Sequence, residues 1–522
     1  MTDTSVLVDV PVLIVGAGPT GLMLALWLAR RGVPVRIIDK TAAPADYSRA
    51  LGVHARTLEF YRQLGFADEA VAGGVMVSSA NFWTRRKRRG RVPFRNIGEG
   101  LTPFPFVLDY AQDRHERLLI GQLDQIGVHV ERSTELLGFA EESQVIRARL
   151  RSGKGEETCR CRYLAGCDGA HSTVRTTANV GFAGGTYEHV FYVADVIARG
   201  PAIDDGIHVD LDWSDLLAVF DMKGDGHARL VGTIRTEAAE RLRRDLTFDD
   251  VARRPIEQLG LVIERVNWFS TYHVSHRVAD RFRVGRVFLL GDAAHVHSPV
   301  GAQGMNTGIG DAVNLAWKLA AVLGEGAPTS LLDTYETERI AFARQLVATT
   351  DRAFAFASRS GRLAAVVRTR VFPLAVSIVF RFRVARRFLF RTVSQLAITY
   401  RDSAISVGDA GEVQGGDRLP WIPMRGDTNG SGGDNLAPLS SIRWQAHVYG
   451  SAPNDLRRVC NELGLAFHVF PWSDAMRKAG LVRGALYVVR PDGYGCCCWY
   501  CCWGCCACCW GCCWYCWGSC CC

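Results

Sequence analysis

Cysteine is scarce through most of this chain. Only Cys159, Cys161, Cys167 and Cys460 of its 19 cysteines precede residue 495. So thin a supply excludes a disulfide-stapled scaffold and fits a reduced, cytoplasmic enzyme. Residues 441–494 hold Cys460 alone and no CxxC, which argues against disulfide exchange there. Long apolar runs are missing too. None approaches the ~20 residues that span a bilayer, and the longest, around 371–380, is short and flanked by arginines. The N-terminus, MTDTSVLVDV, has no basic n-region and runs straight into a strand pattern, which predicts no signal peptide. A formal charge of +8 is mild for 522 residues and implies no nucleic-acid partner. That length predicts two to four domains.

Glycine-rich turns are present where a ligand would need them. The apolar run 10–15 (VPVLIV) leads into Gly16-Ala17-Gly18-Pro19-Thr20-Gly21, and a helical pattern follows through Leu22, Ala25, Leu26 and Ala29. A second apolar run, Val33–Ile38, ends at Asp39, 18 residues past the last glycine. In this frame the first glycine permits a tight turn, the second admits a pyrophosphate, and the third lets helix pack on strand. The acid takes a ribose hydroxyl. A second such place lies at 287–319. The run Val287–Leu290 stops at Gly291-Asp292, a loop with Pro299, Gly301 and Gly304 follows, and Ile309, Val313, Ala316 and Leu319 then recur at helical spacing. Small residues before a helix start let backbone N–H groups meet an anionic ligand, and Asp292 adds an acceptor.

Between these ends lies YLAGCDGAHSTVR (163–175), a strand-like stretch running into Cys167-Asp168-Gly169 and a helix start near Ser172. By spacing alone it is a turn. Taken in order, GAGPTG, CDGAHSTVR and GDAAHVHSPVGAQGMNTG resemble the flavoprotein aromatic monooxygenases of the p-hydroxybenzoate hydroxylase fold, over nearly all of residues 8–345. The resemblance implies that Gly16, Gly18 and Gly21, with Pro19 and Thr20 between them, hold the FAD pyrophosphate, and that Asp39 binds the adenosine ribose. Asp292 would bind the ribityl chain, beside a loop containing Pro299. Gly304, Met305 and Asn306 would face the flavin pyrimidine edge. Asp168 would touch FAD and help place the nicotinamide cofactor. Arg49 and Gln112 stand where the family has polar residues near the flavin. No metal ligand set is expected.

The fold expected on this basis is α/β: a Rossmann-type FAD-binding domain with an inserted β-sheet substrate domain, a helical segment and a thioredoxin-like C-terminal domain. The FAD-binding domain would take 1–76, 107–180 and 280–345, the substrate domain a hairpin at 77–106 and the sheet 181–279. Phe191, Trp213, Phe220 and Trp268 are aromatics of that sheet, suited to a pocket or to its core. TRRKRRGR (84–91), with six Lys or Arg among 85–91, reads as a solvated hairpin tip. Residues 346–406 form an Arg-rich helical segment; 352–400 hold ten arginines and no acid. Packing or dimer contact is the favoured reading there, with an anionic membrane the alternative. A loop-rich boundary (407–421) opens the C-terminal domain, 407–494, which resembles the one attached to the phenol hydroxylase branch. The last stretch, 495–522, carries 15 cysteines and no charge. Its composition suggests a non-native tail rather than a metal site, so a chain ending at Tyr494 is expected to fold.

The reaction implied is reduction of FAD by NADH or NADPH and addition of O2 at flavin C4a. The hydroperoxide would then transfer one oxygen to an aromatic, phenolic or polyketide ring. No second strand-GxGxxG unit exists, against the two-Rossmann monooxygenases, and no CxxxxC follows the first glycine motif, against disulfide reductases. The alternatives are another FAD oxidase or reductase on this fold, and a metal-binding or membrane-attached redox protein. The expected partners are a small aromatic substrate and O2, with the chain a monomer or homodimer.

Overall fold

The first apolar run becomes an interior strand because nothing polar interrupts it. Val10–Val15 lies parallel to Val35–Ile38 on one side and to Gly155–Gly166 on the other in the computed structural model. The structure describes residues 9–44, 50–211, 216–235, 246–251, 253–299, 301–358, 361–424 and 433–499. Val287–Leu289 adds to Gly155–Gly166, also in parallel, so the strands before all three motifs end at one edge of one sheet. Two helices cover it. Pro19–Arg30 buries Leu22 through Leu28, and the helix Gly304–Gly324 packs beside it with Ile309, Val313, Ala316 and Leu319 inward. The helix Ala55–Leu64 ends at Gly65 (φ 91°), where the left-handed turn favours glycine.

A second sheet carries the middle of the chain. Phe182–Arg199 and Val262–Ala279 run antiparallel over 18 residues each, and His227–Arg235, Leu217–Asp221 and Ile207–Asp210 follow in order. The hairpin Ser79–Thr84/Lys87–Pro93 joins this sheet by a parallel pairing of Ser79–Thr84 with Ile207–Asp210. Its turn is Arg85-Arg86, both at positive φ, and every Lys and Arg from 85 to 91 is exposed. One face packs Tyr192, Ala194, Val196 and Leu230 under the segment 248–259. Strand alternation turns Phe191, Asp195 and Arg229 to the other face.

The Arg-rich segment is helical at Arg362–Val366, Phe372–Val379 and Arg383–Val393, with a π-turn at Val367–Val371. It lies on the hairpin: Phe372 meets Phe82 edge-on at 5.4 Å, and the Arg91 backbone N–H donates to Ser377 Oγ at 3.4 Å. Among the described residues no single helix is long and apolar enough to cross a membrane.

Beyond it, Gln445–Tyr449 and Ala466–Phe470 are parallel with the helix Asn454–Glu462 between them, and Leu486–Val489 runs antiparallel to the first. Two sequence expectations are corrected here. The loop-rich boundary contains strands, Val407–Ala410 and Val413–Gln414. The stretch set aside as a tail begins with a strand, Gly495–Trp499, seated between Val407–Ala410 (parallel) and Leu486–Val489 (antiparallel). Reduced cysteine behaves as a small hydrophobe, so a cysteine-rich strand suits a sheet interior. Cys496 is buried, with its thiol on the Ile405 carbonyl at 2.8 Å. The fold of 500–522 lies outside the described residues.

Candidate functional site

Three turns converge at Thr20. A Cβ on Gly291 (φ +57°) would stand 2.7 Å from Thr20 Oγ1, and one on Gly308 2.2 Å from the same atom. The glycine loop, the Gly-Asp turn and the long helix therefore touch only because two of the residues lack side chains. In the glycine loop a Cβ on Gly16 (φ +104°) would strike Cys167 O at 2.3 Å, and one on Gly21 would strike Gly16 O at 2.0 Å. Gly18 differs: its Cβ direction is open, with nothing within 4 Å. Pro19 and Thr20 begin a helix that has no side-chain cap, so its first N–H groups face that opening. Asp39 closes it. Its carboxylate accepts from Ala17 N at 2.7 Å, Thr41 N at 2.8 Å and Thr41 Oγ1 at 2.6 Å. Of about four acceptor positions on a carboxylate, one is left.

The middle motif is tied to the last one. Arg175 donates to Ala293 O at 2.9 Å and to Ala170 O at 2.8 Å, with its guanidinium over Phe182. Asp168 is spent on its own turn, accepting from Ser172 Oγ at 2.5 Å and Val174 N at 3.1 Å. Gln112, the first residue of the helix Gln112–Asp124, reaches Ala50 N at 3.4 Å and Glu116 at 2.8 Å. Arg49 lies outside the described residues.

Asp292 is exposed on the 3-10 turn Gly291–Ala293. Residues that the sequence reading missed hold that turn. Buried Asp311 accepts from Gly291 N at 3.0 Å, His295 Nε2 at 2.8 Å and Arg339 Nε at 2.5 Å. Burial pushes its carboxyl up, but Arg339 and His295 outweigh that and hold it below the usual carboxylate range. Pro299 accepts from Ala302 N at 3.0 Å within the loop. Gly304, Met305 and Asn306 form the first helical turn, whose N–H groups have no intrahelical acceptor; the Met305 thioether meets His115 Nδ1 at 3.2 Å. The Asn306 side chain is fully committed to protein. Oδ1 accepts from His54 N (2.9 Å) and Thr57 Oγ1 (2.7 Å), and Nδ2 donates to Gly52 O and Ala302 O (both 2.9 Å). What Asn306 offers a ligand is its backbone N–H. His54 also bonds Gly301 O at 3.0 Å, and burial pushes its imidazole down to about 4.

The second sheet faces this region. Trp268, Asp195, Arg229 and Phe220 are cross-strand neighbours in one row on a single face. Arg229 pairs with Asp195 through two bonds of 2.7 and 2.8 Å and donates to Ala50 O at 3.0 Å, which anchors the sheet to the first one. Asp109 lies nearby, its carboxyl pushed up to about 8 by burial and by Asp221, against Arg229. Phe191, on that face, packs with Tyr187, Tyr272 and Val274; Trp213 is outside the described residues.

The FAD binding domain family matches residues 9–350. The chain belongs to the flavin-dependent aromatic monooxygenase family. A flavin-dependent monooxygenase of Mycobacteroides abscessus is 34% identical over 504 residues, covering 92% of this chain and 96% of that one. The 6-methylpretetramide 4-monooxygenase of Streptomyces rimosus is 36% identical over 417 residues, covering 76% of this chain and 71% of its own length. Among solved structures, the anhydrotetracycline hydroxylase of Streptomyces rimosus superposes with a TM-score of 0.74 at 28% identity, over 93% of this chain and 95% of the other. FAD is thus the cofactor of this family member, and the open cradle at Gly18, uncapped helix start and spare Asp39 acceptor fit it.

Proposed function

We propose that this flavin monooxygenase hydroxylates a phenolic or polyketide aromatic, consuming one NAD(P)H, one H+ and one O2 and releasing NAD(P)+ and water. The carrying observation is the row Trp268, Asp195, Arg229, Phe220, placed across from the converging motifs and pinned there by Arg229 on Ala50 O. Bound FAD supplies the electron transfer and oxygen activation; this chain supplies placement and charge. Gly18, Thr20 and Gly21 present backbone N–H groups to the diphosphate, Pro19 sets the first helical residue without a donor of its own, and Gly16, whose N–H goes to the Ile38 carbonyl, makes the turn. Asp39 offers its remaining lone pair to the adenosine ribose, and exposed Asp292 an acceptor to the ribityl chain. The first-turn N–H groups of Gly304, Met305 and Asn306 stabilise negative charge at the ring's pyrimidine edge. Asp168 and Gln112 act from further out, and Pro299 shapes the loop.

Substrates of relatives such as 6-methylpretetramide point to the polyketide class. The FAD-binding domain then comprises 1–76, 107–180 and 280–345, and 77–106 with 181–279 cover the ring. The C-terminal domain, 407 to 499, is thioredoxin-like, a reading that its parallel strand–helix–strand unit followed by antiparallel strands supports. The test is O2 and NAD(P)H consumption by FAD-loaded protein across a phenol and polyketide panel, with product analysis. A substrate should accelerate NAD(P)H oxidation and gain one oxygen. Substrate oxidation without NAD(P)H would replace this reading with an oxidase.

A further inference from the structure

Two segments that are remote in sequence, and that the reaction does not use, form one face. The hairpin tip carries six exposed cations between Arg85 and Arg91, and the segment 352–400 carries ten arginines, of which Arg370, Arg381, Arg383 and Arg391 are exposed, Arg383 beside Glu99 at 3.4 Å, while Arg368 is buried on the Leu211 carbonyl. Neither contains an acid, so the rest of the chain has a net charge of −8 against +8 for the whole. The fold brings them together: a Cβ on Gly90 would stand 2.9 Å from Pro373 O, so the helix Phe372–Val379 lies directly on the basic strand.

The opposite side of that helix is uncovered and apolar. Val367, Val371, Leu374 and Ile378 recur at helical spacing, and Leu374 is 61% and Ile378 46% exposed. After a 104° bend the next helix, Arg383–Val393, adds Phe388, which is 73% exposed, while Phe390 points inward and is buried. A bent pair of short helices with apolar and arginine side chains both outward suits the plane of a lipid interface rather than a span.

We propose that this face docks the protein on an anionic lipid bilayer. A two-fold contact between copies would set the same cations against themselves, because such a contact uses one patch twice. An anionic bilayer supplies opposite charge to the arginines and an apolar layer to Leu374, Ile378 and Phe388 together.

The test is sedimentation of the full FAD-loaded chain with vesicles of phosphatidylcholine alone or with phosphatidylglycerol. The wild type should bind only the anionic vesicles and leave them at high salt, where screening shortens to about 3 Å near 1 M. Arg89→Gln with Arg381→Gln removes one cation from each segment and should weaken partitioning about 25-fold, at roughly 5-fold per charge. Leu374→Asp with Ile378→Asp should abolish it. All four side chains are exposed, so flavin content and NAD(P)H oxidation in solution should stay at the wild-type level. Wild-type protein that ignores anionic vesicles at low salt overturns the proposal. So does either variant binding as the wild type does, which would move the contact to another part of the chain. A dimer in solution that the Leu374/Ile378 variant dissolves, without vesicle binding, would make this face a contact between copies instead.

Discussion

Replacing Asn306 with alanine should loosen the flavin site from behind. The side chain spends all four of its hydrogen bonds on Gly52, His54, Thr57 and Ala302, and it is 1% exposed. Alanine leaves two donors and two acceptors unpaired in the interior. At roughly 1 kcal/mol net per bond, and more where a group stays dry, the loss is about 4 kcal/mol. Its consequence is local, because those bonds clamp residues 52–57 onto the loop before the helix Gly304–Gly324. The loop should populate other arrangements, and FAD should bind more weakly and reach equilibrium faster. The assay is thermal unfolding with and without FAD, alongside flavin retention after gel filtration. A shift of 2–4 °C per kcal/mol holds for domains of 150–250 residues and shrinks with size, so a fall of at least about 4 °C is expected. Asn306→Asp should fare no better, since it sets a carboxylate against two carbonyls. An unchanged midpoint and full flavin in Asn306→Ala would refute this reasoning, and would restore direct contact with the flavin as the side chain's role.

Asp292→Ala should lower FAD affinity by about 10- to 150-fold, the value of a charge-assisted bond of roughly 1.5–3 kcal/mol, measured by titrating apoprotein with FAD. A chain ending at Tyr494 should express poorly or unfold early because it loses a strand from inside its sheet, whereas one ending at Trp499 should keep its FAD and its melting temperature. Acid should destabilise the protein below pH 6.5. Burial pushes His54 and His297 down to about 4 and His115 and His447 to about 3, so their contribution is complete above the unfolded value of 6.5 and is lost as pH falls towards the folded values. His54 alone accounts for about 2 kcal/mol between pH 7 and 5; Asp109, pushed up to about 8, Asp221, pushed up to about 6, and Glu116, also raised by burial, work in the opposite direction and offset part of the four histidines' loss, and an unchanged urea midpoint at pH 5 would refute the account. Arg490→Ala should cost about 3–5 kcal/mol by leaving Glu338 and Asp492 under-compensated in the interior, and Arg490→Ala with Asp492→Ala should recover part of that melting temperature.

The sequence showed the cradle more clearly than it showed what supports it. Gly16, Gly18, Gly21 and Asp39 are legible because each satisfies a local requirement of a strand–turn–helix unit, at a spacing set by the unit itself. Asp311 is not, although it holds the Gly-Asp turn. It sits in an apolar helical pattern, where a lone acid reads as solvent-facing, and its partner Arg339 is 28 residues on. Arg229 and Asp195 meet through strand register, which no local pattern encodes. The Asn306 side chain turns back to residues 52–57, and nothing within the motif says so. The strand Gly495–Trp499 was hidden by composition, since repeated cysteine and tryptophan resemble low complexity until a partner strand is placed on each side.

The C-terminal domain is joined to the flavin domain by charge as well as by apolar contact. Arg490 forks onto Glu338 at 2.9 and 3.0 Å and onto Asp492 at 3.0 and 2.6 Å, and Lys318 reaches Glu338 at 2.9 Å. All four are buried, two of each sign, so the cluster is neutral as a whole. Trp317 Nε1 donates to Asp492 at 3.1 Å, and Ser403 Oγ donates to Glu338 at 2.7 Å. An apolar contact of this size would hold as well or better, because buried ion pairs repay little beyond their own desolvation. What charges add is register: a slipped interface leaves an unpaired charge in the interior, while a slipped apolar one only repacks. Lys318 and Trp317 stand on the helix whose first turn is Gly304–Asn306, and Glu338 precedes Arg339, which holds Asp311. Fixing the C-terminal domain in register therefore fixes the axial position of the helix Gly304–Gly324, whose first-turn N–H groups have no intrahelical acceptor.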